Sequence, residues 1–100
     1  MRVIALKSIR DFSLRHPRAA QALSAWSEEA RKTSWKTPQD IKERYSSAGF
    51  LAGNRVVFNI KGNEFRLVVA VAYRFEAVYV KFIGTHAHYD AIDALTIDME

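Results

Sequence analysis

The chain contains no cysteine, which excludes disulfide frameworks and thiolate metal sites and fits a reducing cytoplasm. It has four glycines and two prolines, scattered along the chain, and none builds a phosphate-cradling loop or nucleotide fingerprint. No serine sits in a nucleophile elbow. Nucleotide-cofactor enzymes and acyl hydrolases are therefore not indicated. No run approaches the roughly 18 apolar residues of a membrane span, and the first residues lack the apolar core of a signal peptide, so a soluble intracellular protein is expected. Acid is also scarce over most of the length. Residues 1–81 hold all 15 basic residues against 7 acidic ones, whereas residues 90–100 hold Asp90, Asp93, Asp98 and Glu100 and no base. That asymmetry suits a basic body that meets phosphate and an acidic tail able to shield it.

What is present suffices for one domain spanning residues 1–100, since 49% of the chain is hydrophobic, enough for a single core. Arg2 to Leu6 leans towards β structure. Ser8 with Asp11 three residues on resembles a capping box and predicts a helix from Ser8 to His16. Pro17 suits the first position of a second helix, to Lys32, and Ala19, Ala20, Leu23, Trp26 and Ala30 give it one buried face. Thr37-Pro38-Gln39-Asp40 repeats the start signal for a short third helix, with Ile41 and Tyr45 facing inward. Ser46 to Gly53 reads as a loop.

The strands can be registered from the residues. Gly62-Asn63 is a hairpin signal with glycine where a type II′ turn requires it. Pairing Lys61 with Glu64 then sets Ile60 opposite Phe65, Phe58 opposite Leu67 and Val56 opposite Val69, all on one face. A second turn at Tyr73 to Glu76 sets Ala72 opposite Ala77, Val71 opposite Val78, Val69 opposite Val80 and Leu67 opposite Phe82. Strands at Arg55 to Lys61, Glu64 to Tyr73 and Ala77 to Ile83 follow, because a slip of one residue would invert every side chain. Helices should cover the apolar face. Arg55, Asn59, Arg66, Tyr79 and Lys81 then look away from the core.

A basic, amide-rich sheet face suits a polyanion, and the run Gly84-Thr85-His86-Ala87-His88-Tyr89-Asp90 at its end adds groups that move protons. Cleaving RNA through its own 2′-hydroxyl needs a base, a charge stabiliser at the phosphoryl oxygens and an acid for the leaving oxygen. Lys61, Arg66 and Lys81 can supply charge, with Arg the better bidentate phosphate partner. His86 is the natural acid or base, Tyr89 can orient or stack on RNA, and Asp90 can fix local geometry. Tyr79 is a candidate stacking platform. Strict alternation would point His86 at the core with Val80 and Phe82, unless Gly84 releases the strand and lets it reach the rim near Lys61 and Arg66. A short helix should start near Ala87. His86, His88 and Asp90 are metal-ligand types, but no further ligand spacing supports them, so neither metal nor cofactor is expected. His16 reads as a helix cap.

At this point the segments MRVIALKSIRDF, RKTSWKTPQDIKERY, NRVVFNIKGNEFRLVVAVAYRF and VYVKFIGTHAHYDAIDA together resemble the HigB branch of the RelE-like toxins. The resemblance spans most of the chain in order. It implies an α/β (α+β) RelE-like fold, with N-terminal helices packed on a small, mostly antiparallel sheet. It also implies a type II toxin that cleaves translated mRNA on the ribosome without a metal. The partner it implies is a HigA-type helix-turn-helix antitoxin, through which alone operator DNA is met. The resemblance gives site status to Lys61, Arg66, His86, Tyr89 and Asp90, with Arg55, Asn59 and Lys81 as RNA-facing support. At position 88 the family pattern leads one to expect an acidic residue, and this chain has His88. Two other classes fit the same face: a non-catalytic RNA- or ribosome-binding module, and a superfamily relative acting on a protein.

Overall fold

The computed structural model describes residues 1–99, so Glu100 of the acidic tail lies outside the described residues. The chain runs β1 (Arg2–Ile4), α1 (Leu6–Arg15), α2 (Pro17–Lys32), α3 (Pro38–Arg44), β2 (Gly49–Leu51), β3 (Arg55–Ile60), β4 (Phe65–Ala72), β5 (Ala77–Thr85) and α4 (His86–Asp90). The five strands form one sheet in the order β1-β5-β4-β3-β2. All neighbours are antiparallel except β1, which lies parallel to β5. This is the expected α+β arrangement.

Pro17 occupies the first turn of α2 as expected, and its buried stripe is Ala19, Leu23, Trp26, Ser27 and Ala30. The capping box of α3 forms in full: Asp40 N donates to Thr37 Oγ1 at 3.3 Å and Thr37 N to Asp40 Oδ2 at 3.2 Å. The start expected at Ser8 is corrected. Ala5, in extended conformation, is the N-cap of α1, and Ser8 N already bonds Ala5 O at 3.1 Å, so Ser8 sits inside the first turn. The stretch read as a loop from Ser46 to Gly53 contains β2, which pairs Gly49 to Leu51 with Val57 to Arg55.

The hairpin register holds: Ile60 faces Phe65, Phe58 faces Leu67, Val56 faces Val69 and Asn59 faces Arg66. Glu64 N bonds Lys61 O at 3.2 Å, and Gly62 takes the left-handed φ of +63° that glycine tolerates without strain. Trp26, Trp35, Phe58 and Tyr45 interlock on this face, with Trp26 and Phe58 ring centres 5.3 Å apart. Burial of such rings supplies most of the attraction between helices and sheet.

The next pairing departs from expectation. Val71 faces Val78 and Val69 faces Val80, but Leu67 faces Ile83, and Phe82 stands opposite Val68. The shift falls between Val68 and Val69, where Lys81 is the extra residue of a β-bulge. A bulge re-aims every side chain beyond it. Phe82 therefore turns to the second face of the sheet, where it joins Val57 and Val68 in a separate apolar cluster. Leu51, Tyr89, Ile92, Ala94 and Ile97 pack over that cluster. The second face is thus not an open basic surface. Its middle is a greasy band roofed by the C-terminal segment.

Candidate RNA-cleavage site

The band divides the polar residues of the second face into two groups. One row holds Asn59, Arg66 and Gly84, and the opposite end holds Arg55, Ala70 and Tyr79 in register. Four residues separate Arg66 from Ala70, which at about 3.4 Å per residue puts the two rows roughly 13 Å apart.

At the first end β5 runs straight into α4. Thr85 caps this helix: its Oγ1 accepts from His88 N at 3.1 Å. His86 N donates to Glu64 O at 2.9 Å, so the helix start is tied to the hairpin two ladder steps beyond the Arg66–Gly84 pair. Helical spacing then brings His86 and Asp90 together, with Nε2 3.5 Å from Oδ2 and both side chains open to solvent. His86 is accordingly not packed in the core. The residue that releases it is Lys81, through the bulge, rather than Gly84, which is regularly paired. Gly84 has a different task. A Cβ there would lie 2.4 Å from Phe82 Cζ, so only glycine lets that ring lie flat over the strand. His88, which stands where the family pattern leads one to expect an acidic residue, is exposed but sets its ring edge-on to Phe82 at 5.0 Å.

Arg66 lies over the Tyr89 ring, its guanidinium carbon 5.9 Å from the centroid. Its Nη2 donates to Asn63 Oδ1 at 2.6 Å, and Nη1 to the carbonyls of Asn63 and Phe65 at 3.3 Å. These are neutral acceptors. Among the described residues no carboxylate lies within ion-pair distance of Arg66, so its charge is held in position without being cancelled. Asn63 had been read only as a turn residue; its amide three places before an arginine on the same hairpin was the available signal.

The other expected site residues are placed differently. Lys61 is exposed at the hairpin, where it lines a shallow groove with Arg18, Gln21, Ala22 and Ala25, on the α2 side. Among the described residues no hydrogen bond joins it to His86 or Arg66. Asn59 is exposed beside Arg66. Arg55 looks away from the main core as expected but is not left open: its Nη1 donates to Ala94 O at 3.1 Å and Ile97 O at 2.8 Å, clamping the C-terminal segment. Lys81 Nζ lies 3.1 Å from Asp98 Oδ2 and 6.0 Å from the centre of the exposed Tyr79 ring. No group of three metal-ligating side chains occurs among the described residues.

This geometry defines a small α+β domain with a cation, an imidazole–carboxylate pair and a phenol gathered at one sheet end. A family model described as HigB_toxin, RelE-like toxic component of a toxin-antitoxin system, matches residues 19–92. The chain belongs to that family of toxins. Among its relatives are the mRNA interferase toxin HigB of Escherichia coli (strain K12) and the mRNA interferases HigB of Escherichia coli O157:H7 and Shigella flexneri. Each is 28% identical over 97 residues, covering 95% of this chain and 93% of the relative.

Proposed function

We propose that this toxin is a ribosome-dependent mRNA endonuclease that cuts translated messages and so arrests growth. The observation that carries this reading is the uncancelled Arg66 guanidinium beside the His86–Asp90 pair and the Tyr89 ring. The relatives named mRNA interferase support it.

In this mechanism a 2′-hydroxyl of the message attacks the adjacent phosphorus. The P–O bond to the 5′-oxygen of the next nucleotide breaks, leaving a 2′,3′-cyclic phosphate. Arg66, already aligned by Asn63, places two N–H groups on the phosphoryl oxygens, where charge grows in the transition state. Imidazole is the side chain whose charge changes near neutral pH, so His86 exchanges the proton, with Asp90 holding the ring. Tyr89 stacks on or hydrogen-bonds to the RNA and keeps Arg66 over the site. The protein's own groups supply base, charge and acid, so the reaction needs no metal or cofactor. Exact assignment of base and acid follows the RNA's pose on the ribosome. Work on ribosomes places the toxin in the cytoplasm. Its antagonist in this reading is a HigA-type helix-turn-helix antitoxin that binds the toxin tightly and carries the complex to operator DNA. No helix among the described residues is long and apolar enough to cross a membrane.

The test is controlled expression with primer extension on cellular transcripts. The parent chain should give discrete new 5′ ends within reading frames. Arg66→Ala should lose both cleavage and growth arrest while its circular dichroism spectrum is unchanged. Undiminished cleavage by that variant at equal expression removes Arg66 from the site. Growth arrest without cleavage, for the parent chain, would replace the nuclease reading by a non-catalytic ribosome binder.

A further inference from the structure

We infer that Lys81 and Tyr79 form a second subsite for single-stranded RNA, taking a phosphate and its neighbouring base, and that Asp98 of the same chain occupies it in the free toxin. The inference rests on the proposed RNA-cleaving function, since it extends the path of the message from Arg66 across the sheet.

Lys81 and Tyr79 stand on the same face of β5 as Arg66 does on β4, at the far side of the apolar band. Lys81 is itself the bulge residue, and Phe82 of the band lies between it and the catalytic end. Lys81 Nζ sits over the Tyr79 ring at 6.0 Å, and Tyr79 is 39% exposed. A cation beside an open aromatic face is the pairing that single-stranded nucleic acid uses: charge for the backbone and a sequence-tolerant platform for a base. A small hollow of about 90 Å³ lies there, bounded by Ile4, Ser8, Tyr79, Lys81 and Asp98. Asp98 Oδ2, 3.1 Å from Lys81 Nζ, places an anionic oxygen where a phosphate oxygen would bind.

The latch is built to be exchanged. Ile92, Ala94 and Ile97 seat the C-terminal segment on Val57, Val68 and Phe82, and Arg55 holds the carbonyls of Ala94 and Ile97. The segment therefore stays in place when the Asp98 carboxylate leaves Lys81. The Asp98 side chain is 46% exposed and that of Lys81 24%, so water reaches the pair from the carboxylate side and screens part of its attraction. RNA already gripped at Arg66 presents its further phosphates at high effective concentration, so it can displace a single carboxylate. Meanwhile the carboxylate turns away isolated anions and lone acidic side chains. An acidic protein segment could also seek Lys81, but it has no use for the Tyr79 face.

The experiment measures binding of a fluorescent single-stranded 2′-O-methyl RNA, which cannot be cleaved, to the full chain by anisotropy over a range of salt. Asp98→Asn should tighten binding roughly two- to fivefold, the scale of one exposed ion pair. Lys81→Ala should weaken it and make the slope of log K against log salt shallower by about 0.7, the loss of one phosphate contact on a single strand. In the double variant the gain from Asp98→Asn should vanish. An effect of Asp98→Asn that persists without Lys81, or no effect at all, overturns the inference. So does tighter binding of poly-glutamate, but not RNA, to Asp98→Asn, which would make the surface a protein dock. Cleavage by Arg66→Ala is measured in parallel. If that variant cuts at the parent rate while the Asp98 and Lys81 effects on binding appear, the catalytic reading fails and the subsite stands. If it loses cleavage while the Asp98 and Lys81 variants bind as parent, the subsite fails alone.

Discussion

The two polar ends of the sheet's second face use the same residue types and reach opposite conditions. At the Arg66 end the guanidinium is held by an amide and two carbonyls from its own hairpin, all neutral, and keeps its full field. At the Arg55 and Lys81 end the cations are spent on the chain itself, one on two carbonyls of the C-terminal segment and one on Asp98. Position on a polar face is therefore not enough to make a cation available. What separates the two ends is the apolar band of Val57, Val68 and Phe82, which fixes where the tail crosses and on which side Asp98 falls.

The strongest way to break the comparison is to remove the band. Phe82 is 4% exposed and touches both His88 and Tyr89. Phe82→Ala should cost about 3–5 kcal/mol, the usual range for deleting a buried ring, read as the shift in a urea unfolding midpoint. It should also free the C-terminal segment, seen as faster amide exchange at Ile92 and Ile97. A variant with unchanged stability would show that the second cluster does not hold the tail.

Next in size is the contrast between the two arginines. Losing one charge-stabilising donor at the reacting phosphate should lower the cleavage rate by about 10²–10³, and Arg66→Ala should do so without changing the melting temperature. Arg55→Ala should do the reverse, lowering stability through the two released carbonyls, each a net loss of about 1 kcal/mol, with cleavage reduced far less. Equal rate losses in single-turnover cleavage on programmed ribosomes would mean that the two ends do not differ in function.

A finer comparison sets His86 against His88, two residues apart on α4. His86→Gln keeps hydrogen bonding but carries no proton, so it should slow cleavage about 10²-fold while ribosome association holds. His88→Glu should be tolerated, with rates within about threefold of the parent, since His88 is exposed and only edges onto Phe82. Cleavage by His86→Gln at the parent rate would move the chemistry to Arg66 and its neighbours.

How much of this was legible in the sequence depended on whether two registers could satisfy the same pattern. The β3–β4 hairpin was legible because Gly62 fixed the turn and three apolar pairs agreed with it. Phe82 was not, since Val80-Lys81-Phe82-Ile83 offers an apolar residue to the core in either parity, and only the bulge decides. The three-residue strand β2 hid among Gly49, Gly53 and small residues. The tail was read from Asp93 and Asp98 as a charge feature, although Ile92, Ala94 and Ile97 beside them carried the packing signal. The residues gathered at the cleavage end came from the resemblance and from parity together; Asn63 and Thr85, which hold Arg66 and α4 in place, came from neither.

The smallest effect should come from a contact outside both ends, where Arg18 of α2 meets Glu64, whose carbonyl also receives His86 N. Arg18 Nη2 lies 2.7 Å from Glu64 Oε1, with the side chains 70% and 39% exposed. The hydrogen bonds from Arg18 hold the Glu64 carboxyl below the ordinary carboxylate range. A carboxyl depressed in the folded state stabilises above its unfolded pKa and loses that contribution as pH falls through the folded value. Arg18 itself, raised further by the same contact, stays charged throughout. Arg18→Ala should therefore lower the melting temperature slightly at neutral pH, and the gap to the parent should close under acid. Salt should shrink the gap too, because so open a pair is screened. A gap that stays constant into strong acid would assign the loss to packing of the arginine stem rather than to its charge.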